Sequence, residues 1–296
     1  MELPEKIDLH MHTTASDGTD SPAQLLEKIR AKGIGVFAVT DHDAVRTCVE
    51  MAPLLEEGDP LFINGVELSC RDEGGKYHIL GLGYDLHKAP LVDLVGLTHQ
   101  IRMQKVHARL HFLREEFGFV FPQKELDQLL ALNNPGKPHI GNLMVAHGYA
   151  PDKETAINDY INKAKIRGAE YIRPEEAIKA ILGSGGVPVL AHPAYGDGSQ
   201  LIVGEELEER VKRLVDFGLQ GMECYYSGFT PRLQEMALKL AHKMDLLVSA
   251  GSDYHGSNKM IELGDNNLDR VSEADPGVRK LLEICLDKMA AARAAV

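Results

Sequence analysis

Short apolar runs alternate with amphipathic stretches near both ends of the chain. The runs have the composition of strands that are buried on both faces. They lie at 35–40, 61–66, 187–191, 221–225 and 246–251. The stretches between them carry helix signals, such as Ser21 and Pro22 before the first stretch and Gly33 after it. With two further strands at the start of the chain and at 76–83, the pattern predicts a (β/α) barrel or a doubly wound sheet.

The pattern changes between residues 86 and 173, where strand runs give way to successive amphipathic stretches. Helices are predicted over 91–117, 123–131, 140–147 and 154–165. We interpret 86–173 as a mostly helical insertion that covers the site of a barrel formed by 1–85 and 174–296. The first of these helices has a basic face, which either only covers the barrel or also contacts the substrate. This face carries Arg102, Lys105, His107, Arg109, His111 and Arg114.

Composition restricts the compartment and the partners. The 296 residues carry a formal net charge of −12, which disfavours binding to long nucleic acid. No apolar run approaches the roughly 18 residues of a membrane span, and the polar N-terminus does not resemble a signal peptide. The four cysteines are scattered without a C-x-x-C motif, which fits a reducing compartment. We expect a cytoplasmic protein without membrane contact, and no feature indicates an obligatory protein partner.

The first predicted strand ends in a pair of histidines. His10 and His12 are two residues apart, so on a strand both imidazoles point to the same side and can bind one ion. Asp17 follows in the next loop. Imidazole with carboxylate is the ligand chemistry of zinc, manganese or iron rather than of calcium. Taken alone, the motif could also be two histidines that merely end a strand.

Further imidazoles and carboxylates lie at or just after the ends of other predicted strands, although His78 lies early in its strand. The complete set of candidate metal ligands is His10, His12, Asp17, His42, Glu67, His78, His192, Asp253 and His255. Strand ends converge on one face of a barrel, so this set favours the barrel over the open sheet. Nine ligands are too many for one ion, which predicts two or three divalent ions with Glu67 as a bridging carboxylate.

Most of these residues lie in five segments that follow one another along nearly the whole chain. The segments are Asp8-Leu9-His10-Met11-His12, Thr40-Asp41-His42-Asp43, Gly65-Val66-Glu67, Leu190-Ala191-His192-Pro193 and Gly251-Ser252-Asp253-Tyr254-His255-Gly256. This constellation resembles the PHP (polymerase and histidinol phosphatase) family. The resemblance implies an α/β fold, a distorted (β/α)7 barrel with a helical insertion, and a trinuclear site of manganese, zinc or iron.

The resemblance also implies an assignment of ligands to ions. By analogy, His10, His12, Glu67 and Asp253 would hold one ion. The second ion would be held by Glu67, His78 and His192, and the third by Asp17, His42 and His255. We expect a metal-dependent phosphoesterase in which an activated hydroxide attacks phosphorus. The expected catalytic residues are Glu67, His192, Asp253 and His255.

Within the family, the chain is most similar to stand-alone bacterial phosphoesterases that act on nucleoside 3′,5′-bisphosphates or on the 5′ end of short oligonucleotides. The segments 136–139 and 173–177 support this resemblance. We expect Lys137, His139 and Arg232 to bind a second phosphate. Tyr226 and Ser227 lie in the loop after the strand at 221–225, where Tyr226 either stacks on a base or only packs. The expected substrate is therefore a small phosphorylated molecule, a nucleotide or a short oligonucleotide.

Three other functions fit parts of the pattern. A phosphatase of the histidinol phosphate type would use the same ligands. An amidohydrolase also places H-x-H in a barrel, but such enzymes usually bridge two metals with a modified lysine at a strand end, and this chain has no lysine there. A non-catalytic sensor of metal and phosphate would be expected to have lost ligands, and the set is complete.

Overall fold

Seven strands form one sheet in sequential order. The computed structural model describes residues 3–132, 134–166, 171–196 and 201–294. The strands are β1 Ile7–Asp8, β2 Val36–Val39, β3 Leu61–Asp72, β4 Gly75–Leu82, β5 Val187–Leu190, β6 Gly221–Tyr226 and β7 Leu247–Gly251. Neighbouring strands pair in parallel, except that β4 runs antiparallel to both β3 and β5.

The first and last strands approach each other and nearly close the sheet. The N–H of Leu9 donates to the carbonyl of Ala250 at 3.0 Å, and the N–H of Asp253 donates to the carbonyl of His10 at 2.8 Å. Met11 and Tyr254 form a parallel bridge just beyond the two strands. The sheet is therefore a distorted seven-stranded barrel, which confirms the predicted fold class. The carboxyl ends of its parallel strands meet at one rim.

Helices surround the barrel and make up most of the segment between β4 and β5. They are α1 Pro22–Lys32, α2 Arg46–Met51, α3 Ala89–Phe117, α4 Gln123–Leu130, α5 Lys137–Ala146, α6 Lys153–Thr155, α7 Pro174–Gly183, α8 Glu205–Asp216, α9 Pro231–Lys243 and α10 Pro276–Ala294. Short 3₁₀ turns cover Ala52–Leu54, Ile161–Lys163, Gly256–Asn258 and Val271–Glu273. Within the described part of the chain, no helix combines the length and the apolarity that crossing a membrane requires.

The local signals read from the sequence explain how α1 forms. The hydroxyl of Ser21 accepts a hydrogen bond from the backbone N–H of Gln24, and the side-chain oxygen of Gln24 accepts one from the backbone N–H of Ser21, which completes a capping box. Gly33 ends the helix at φ 67°, a left-handed conformation that glycine adopts without steric cost. The helix buries Leu25, Leu26 and Ile29 in the main apolar core.

The strand β3 extends further than the sequence predicts. A strand was expected over 61–66 with Glu67 at its end, but β3 continues to Asp72 because β4 folds back on it as a hairpin. Only 61–64 pair with β2, so Glu67 still lies at the level of the barrel rim. The reversed direction of β4 also explains why His78 comes early in its strand. An early position in an antiparallel strand lies at the same rim as a late position in a parallel one.

The helix α3 connects two apolar cores. Its first turns bury Leu91 in the core of the barrel, whereas Val106 and Leu113 lie in a second, smaller core that includes residues of α4 and α5. The expected helix over 154–165 is not continuous, because α6 is followed by a π-helical turn over Ala156–Tyr160 and by a 3₁₀ turn. A π turn brings residues five apart toward the same face, and Ala156 and Ile161 both lie buried in the second core.

Candidate metal centre

The barrel rim brings all nine candidate metal ligands together. His10 and His12 follow β1, His42 follows β2, and His192 follows β5. Glu67 and His78 lie on the β3–β4 hairpin, and their side chains are 2.9 Å apart. The loops before α1 and after β7 contribute the rest, which are Asp17, Asp253 and His255. Each side chain comes from a strand or from the short loop that follows one, which fixes its position against the rigid barrel.

Four of these residues surround one point, and we call them the first ligand group. The Nε2 atoms of His10 and His12 lie 3.2 and 3.1 Å from Oε2 of Glu67. The same nitrogens lie 3.6 and 3.4 Å from Oδ1 of Asp253. Ligand atoms about 2.1 Å from a tetrahedral ion are about 3.4 Å apart. The spacing in this group therefore suits one divalent ion.

The other oxygen of Glu67 belongs to a second ligand group. Its Oε1 lies 2.9 Å from Nδ1 of His78 and 3.2 Å from Nε2 of His192. The two ring nitrogens are 3.2 Å apart. Glu67 thus faces two ligand groups with two different oxygens, as a bridging carboxylate does.

The third ligand group is more open. Nε2 of His255 lies 3.2 Å from Oδ1 of Asp17, and Nε2 of His42 lies 3.9 Å from Oδ2 of the same residue. His12 also belongs to this neighbourhood, since its Nδ1 is 3.8 Å from Asp17. The Nδ1 of His42 faces Glu67 at 3.2 Å, so His42 lies between the groups.

Several atoms that point into the groups have no other use in the fold. Among the described residues, Nε2 of His10, Nε2 of His12 and Oε2 of Glu67 are buried without a hydrogen-bond partner, as are Oδ1 of Asp17 and Nδ1 of His42. Buried polar atoms are normally paired, because leaving one unpaired costs about 1–3 kcal/mol. Imidazole nitrogens with carboxylate oxygens fit zinc, manganese or iron. The residues present therefore fit a multinuclear metal centre.

Electrostatics keep the carboxylates of the site ionised. Burial alone would raise the pKa of Glu67, but His42, His10 and His78 hold it well below its usual range. Burial likewise opposes ionisation of Asp253, and its pKa is lowered because His10 and His12 face it. The carboxylates therefore carry charge at neutral pH, as metal ligation requires.

A cleft with basic walls opens beside the third ligand group. Its volume is about 310 Å³, and Asp17, His42 and His78 lie on its barrel side. We call it the basic cleft, because five cationic side chains line it: Lys76, Arg102, Lys105, Arg109 and Lys137. The sequence alone left open whether the basic face of α3 contacts the site, and the structure places three of its residues in this cleft.

Arg102, Lys105 and Lys137 have partners within the structure. Lys137 donates to Oδ1 of Asn162 at 2.6 Å. Arg102 pairs with Asp43, the residue that follows His42. The Nζ of Lys105 lies 3.4 Å from the ring centroid of Tyr171. Burial lowers the pKa of Lys105 to about 8, with further contributions from Arg102 and Arg109.

Comparison with known proteins identifies the family. The model of the PHP domain matches residues 8–172, which is more than half of the chain. The chain belongs to the PHP family. A 5′-3′ exoribonuclease of Haemophilus influenzae is 30% identical over 276 residues, which cover 93% of this chain and 98% of the relative.

Other PHP relatives and a solved structure agree with this assignment. A phosphoribosyl 1,2-cyclic phosphate 1,2-diphosphodiesterase of Eggerthella lenta is 30% identical over 84% of this chain and 94% of its own. A 3′,5′-nucleoside bisphosphate phosphatase of Chromobacterium violaceum is 28% identical over 84% and 87%. A structure from Bifidobacterium adolescentis, assigned by inference as a metal-dependent phosphoesterase, superposes with a TM-score of 0.78 at 29% identity, covering 96% and 98%. This PHP protein is a metal-dependent hydrolase of phosphate esters.

The expected substrate-binding residues differ in how close they lie to the basic cleft. Lys137 lines the basic cleft at the start of α5. His139 is not among the residues that line the cleft, and its Nδ1 accepts the N–H of Gly136. Burial lowers the pKa of His139; Asp17 opposes this shift and Arg102 adds to it. Arg232 is exposed on the first turn of α9 and is not among the residues that line the cleft.

The loop after β6 contacts the metal ligands rather than open space. The hydroxyl of Tyr226 donates to Oδ2 of Asp253 at 3.0 Å, and its buried ring packs against His192. The hydroxyl of Ser227 donates to the carbonyl of Ser252 at 2.8 Å. Both side chains therefore support the ligand segment after β7, and Tyr226 has no open face for stacking on a base.

Several residues at the PHP site were not singled out from the sequence as site residues. Lys259 donates to Oδ2 of Asp253 at 2.6 Å, although it follows the last motif by several residues. Arg102, Lys105 and Arg109 belong to the basic face noted on α3, and their spacing of three and four residues places them on one side of that helix. This spacing was a usable signal, whereas the sequence carried no signal for Lys259.

Proposed function

We propose that this protein hydrolyses a phosphate ester carried by a nucleotide, either a nucleoside 3′,5′-bisphosphate or the 5′ end of a short oligonucleotide. The observation that carries the proposal is the direct opening of the third ligand group into the basic cleft. The metal ligands would hold the reacting phosphate, and the cations of the cleft would bind a second one. A small-molecule pocket typically has a volume of about 300–1,000 Å³, and the cleft falls at the lower end of this range.

We infer that the centre holds two to three divalent ions of manganese, zinc or iron. Glu67, His10, His12 and Asp253 would hold one ion, Glu67, His78 and His192 a second, and Asp17, His42 and His255 a third. Ions in such a site supply Lewis acidity, which promotes ionisation of water near neutral pH and offsets charge on phosphate oxygens. The unpaired buried atoms of His10, His12 and Glu67 support this assignment.

The protein's own residues would orient the substrate. Arg102 offers a planar fork that suits a phosphate, whereas Lys105 and Lys137 act as point charges. Neutral His139 carries its proton on Nε2, because Nδ1 accepts the N–H of Gly136. It can therefore donate a hydrogen bond to a phosphate oxygen. Tyr226 and Lys259 both donate to Oδ2 of Asp253 and so leave Oδ1 for the first ligand group.

The names of the relatives support a substrate with phosphate on ribose. The Haemophilus relative is named for cleaving RNA from its 5′ end, and the Chromobacterium relative is named for nucleoside 3′,5′-bisphosphates. The Eggerthella relative is named for a cyclic phosphate of ribose. These three substrates share a ribose that carries a phosphate, and we extend that common feature to this protein.

The test is phosphate release by manganese-loaded protein from adenosine 3′,5′-bisphosphate, with AMP, histidinol phosphate, a cyclic ribose phosphate and a 5′-phosphorylated trinucleotide in parallel. We expect turnover of the bisphosphate, or of the trinucleotide, well above turnover of AMP. A Glu67→Gln preparation purified in the same way controls for contaminating phosphatases. Preference for histidinol phosphate would favour the small-molecule phosphatase. Metal binding without turnover of any substrate would favour a sensor and contradict the proposal.

A further inference from the structure

A buried glutamate lies beneath the candidate metal centre. Glu223 is the only charged residue of β6, whose sequence is otherwise Gly-Met-Cys-Tyr-Tyr, and its side chain is fully buried. Its Oε1 lies 3.0 Å from Nδ1 of His10. Its Oε2 accepts the backbone N–H of His192 at 2.8 Å. One carboxylate thus contacts one residue of the first ligand group and one residue of the second.

We propose that Glu223 is a positioning residue that orients His10 and His192 for two neighbouring metal ions. The proposal rests on the metal-dependent function proposed above. An ionised carboxylate can only accept hydrogen bonds, so Nδ1 of His10 must carry the proton in this contact. In the neutral ring that binds a metal, Nε2 of His10 then keeps its lone pair, and it faces Glu67 and Asp253 in the first ligand group. A partner of this kind fixes the ring and raises its basicity toward a metal.

The second oxygen of Glu223 holds the backbone of His192 in an unusual conformation. His192 has a φ of 27°, on the left-handed side that residues other than glycine seldom adopt. Such a conformation is sterically unfavourable for a residue with a Cβ atom and persists where surrounding contacts fix it. In this conformation Nε2 of His192 lies 3.2 Å from Oε1 of Glu67. Glu223 thereby supports a ligand of the second group through its main chain.

A glycine in β7 makes the contact between Glu223 and His10 possible. A Cβ atom built on Gly251 would lie 2.6 Å from Oε1 of Glu223 and 2.2 Å from Cβ of His10. No side chain at this position could be accommodated without moving one of the two residues. The absence of a side chain at Gly251 is therefore a second feature, separate from the hydrogen bonds, that allows Glu223 to contact His10.

The test is the affinity of Glu223→Gln for manganese, measured by competition with a chelating dye. A glutamine has one acceptor oxygen, so it can serve His10 or His192 but not both. We expect 10- to 100-fold weaker binding, the usual range when such a partner is removed. Manganese should also raise the Tm of the variant less than it raises the Tm of the wild type. The control is Glu235→Gln, which removes one exposed carboxylate from α9 and should bind manganese like the wild type.

Each outcome separates this inference from the proposed function. If the wild type binds no divalent metal, the proposed function fails. If the wild type binds manganese and Glu223→Gln binds it equally well, the positioning role of Glu223 is wrong while the function stands. If the variant does not fold, ¹⁵N NMR of the zinc-loaded wild type decides the question. His10 must then show a proton on Nδ1 and zinc on Nε2, and the opposite tautomer would overturn the proposal.

Discussion

At the scale of single residues, Glu67 is central to the candidate metal centre, because its carboxylate contacts two of the three ligand groups. Its Oε2 faces His10 and His12, its Oε1 faces His78 and His192, and its side chain is almost fully buried. A carboxylate in this place can join two ions and balance the charge that they bring. Oε2 also faces Nδ1 of His42, so removing Glu67 would leave five imidazoles without their common partner.

We predict that Glu67→Gln lowers kcat/KM for the preferred substrate on the order of 10³-fold, because several kcal/mol of transition-state stabilisation depend on the bridged ions. Bound metal per chain should fall as well, and both quantities are measured on the same preparation. Glu50→Gln removes an exposed carboxylate that pairs with Arg46 and serves as the control. Near-normal kcat/KM with a full metal complement in Glu67→Gln would rule out the bridging role.

Lys105 gives the basic cleft a pH dependence. Its pKa is lowered to about 8 by burial and by Arg102 and Arg109; Asp43 opposes this shift and Lys137 adds to it. The ring of Tyr171 also faces its ammonium group. Because a lysine is charged only below its pKa, the cleft loses one positive charge as the pH rises through about 8.

We predict that kcat/KM for a bisphosphate falls about tenfold above pH 8 through the loss of this charge, since a charge-assisted hydrogen bond contributes about 1.5–3 kcal/mol. The pH dependence of kcat/KM reports pKa values of the enzyme without substrate, so the pKa of Lys105 in the substrate-free protein applies. The measurement is a profile from pH 7 to 9.5 at constant ionic strength. Lys105→Arg stays charged over this range and should lack that part of the fall. Identical profiles for the two proteins would contradict the role of Lys105.

At the scale of elements, the loop between β1 and α1 is held by one buried carboxylate. Asp41 accepts hydrogen bonds from the N–H and the hydroxyl of Thr13 and from the hydroxyls of Ser16 and Thr47. This loop carries Asp17 to the third ligand group. Asp41, which follows β2, therefore fixes the position of Asp17 in the loop between β1 and α1.

We predict that Asp41→Asn lowers the free energy of unfolding by about 1–3 kcal/mol, because an amide NH₂ would meet donors that now meet an oxygen. Urea unfolding of the metal-free protein measures this change. Bound metal should also decrease at the third ligand group, since the loop of Asp17 loses its anchor. Thr47→Val removes only one of the four donors and should cost less. Equal stability of Asp41→Asn and the wild type would show that Asp41 does not hold the loop.

The elements also explain which parts of the candidate site can be predicted from the sequence and which cannot. Strands rich in apolar residues and ending in His or Asp predict a rim with ligands, since parallel strands end on the same side. The direction of β4 leaves no trace in composition, so the sequence names Glu67 and His78 as candidates but does not predict the hairpin that they share. Glu223 was visible as a lone carboxylate in an apolar strand, but its partners come from β1 and β5, which only the closed barrel brings near.

At the scale of the whole molecule, the barrel supplies the candidate metal ligands, and the segment between β4 and β5 supplies most of the cations of the cleft. The chain as a whole has a net charge of −12, yet the cleft beside the ligands gathers five basic side chains. Negative charge elsewhere disfavours long nucleic acid, whereas the local positive field favours a small anion. The helix α3 joins the two parts, because its ends lie in different apolar cores.

We predict that Arg109→Leu raises KM for adenosine 3′,5′-bisphosphate about tenfold and changes KM for AMP much less, because the lost contact serves the second phosphate. Steady-state kinetics with both substrates measure this difference. Arg114→Leu changes an exposed residue of the same helix outside the cleft and should leave both values unchanged. Equal increases for the two substrates would place Arg109 at the reacting phosphate instead.

The central claim is that activity depends on divalent ions held by the rim of the barrel. The most direct measurement is the recovery of phosphate release when protein stripped by a chelator is titrated with manganese. We predict negligible activity in the stripped protein and recovery that saturates at two to three equivalents per chain, with Glu67→Gln failing to recover. Full activity in protein shown to be free of metal, or saturation without any dependence on Glu67, would contradict the account.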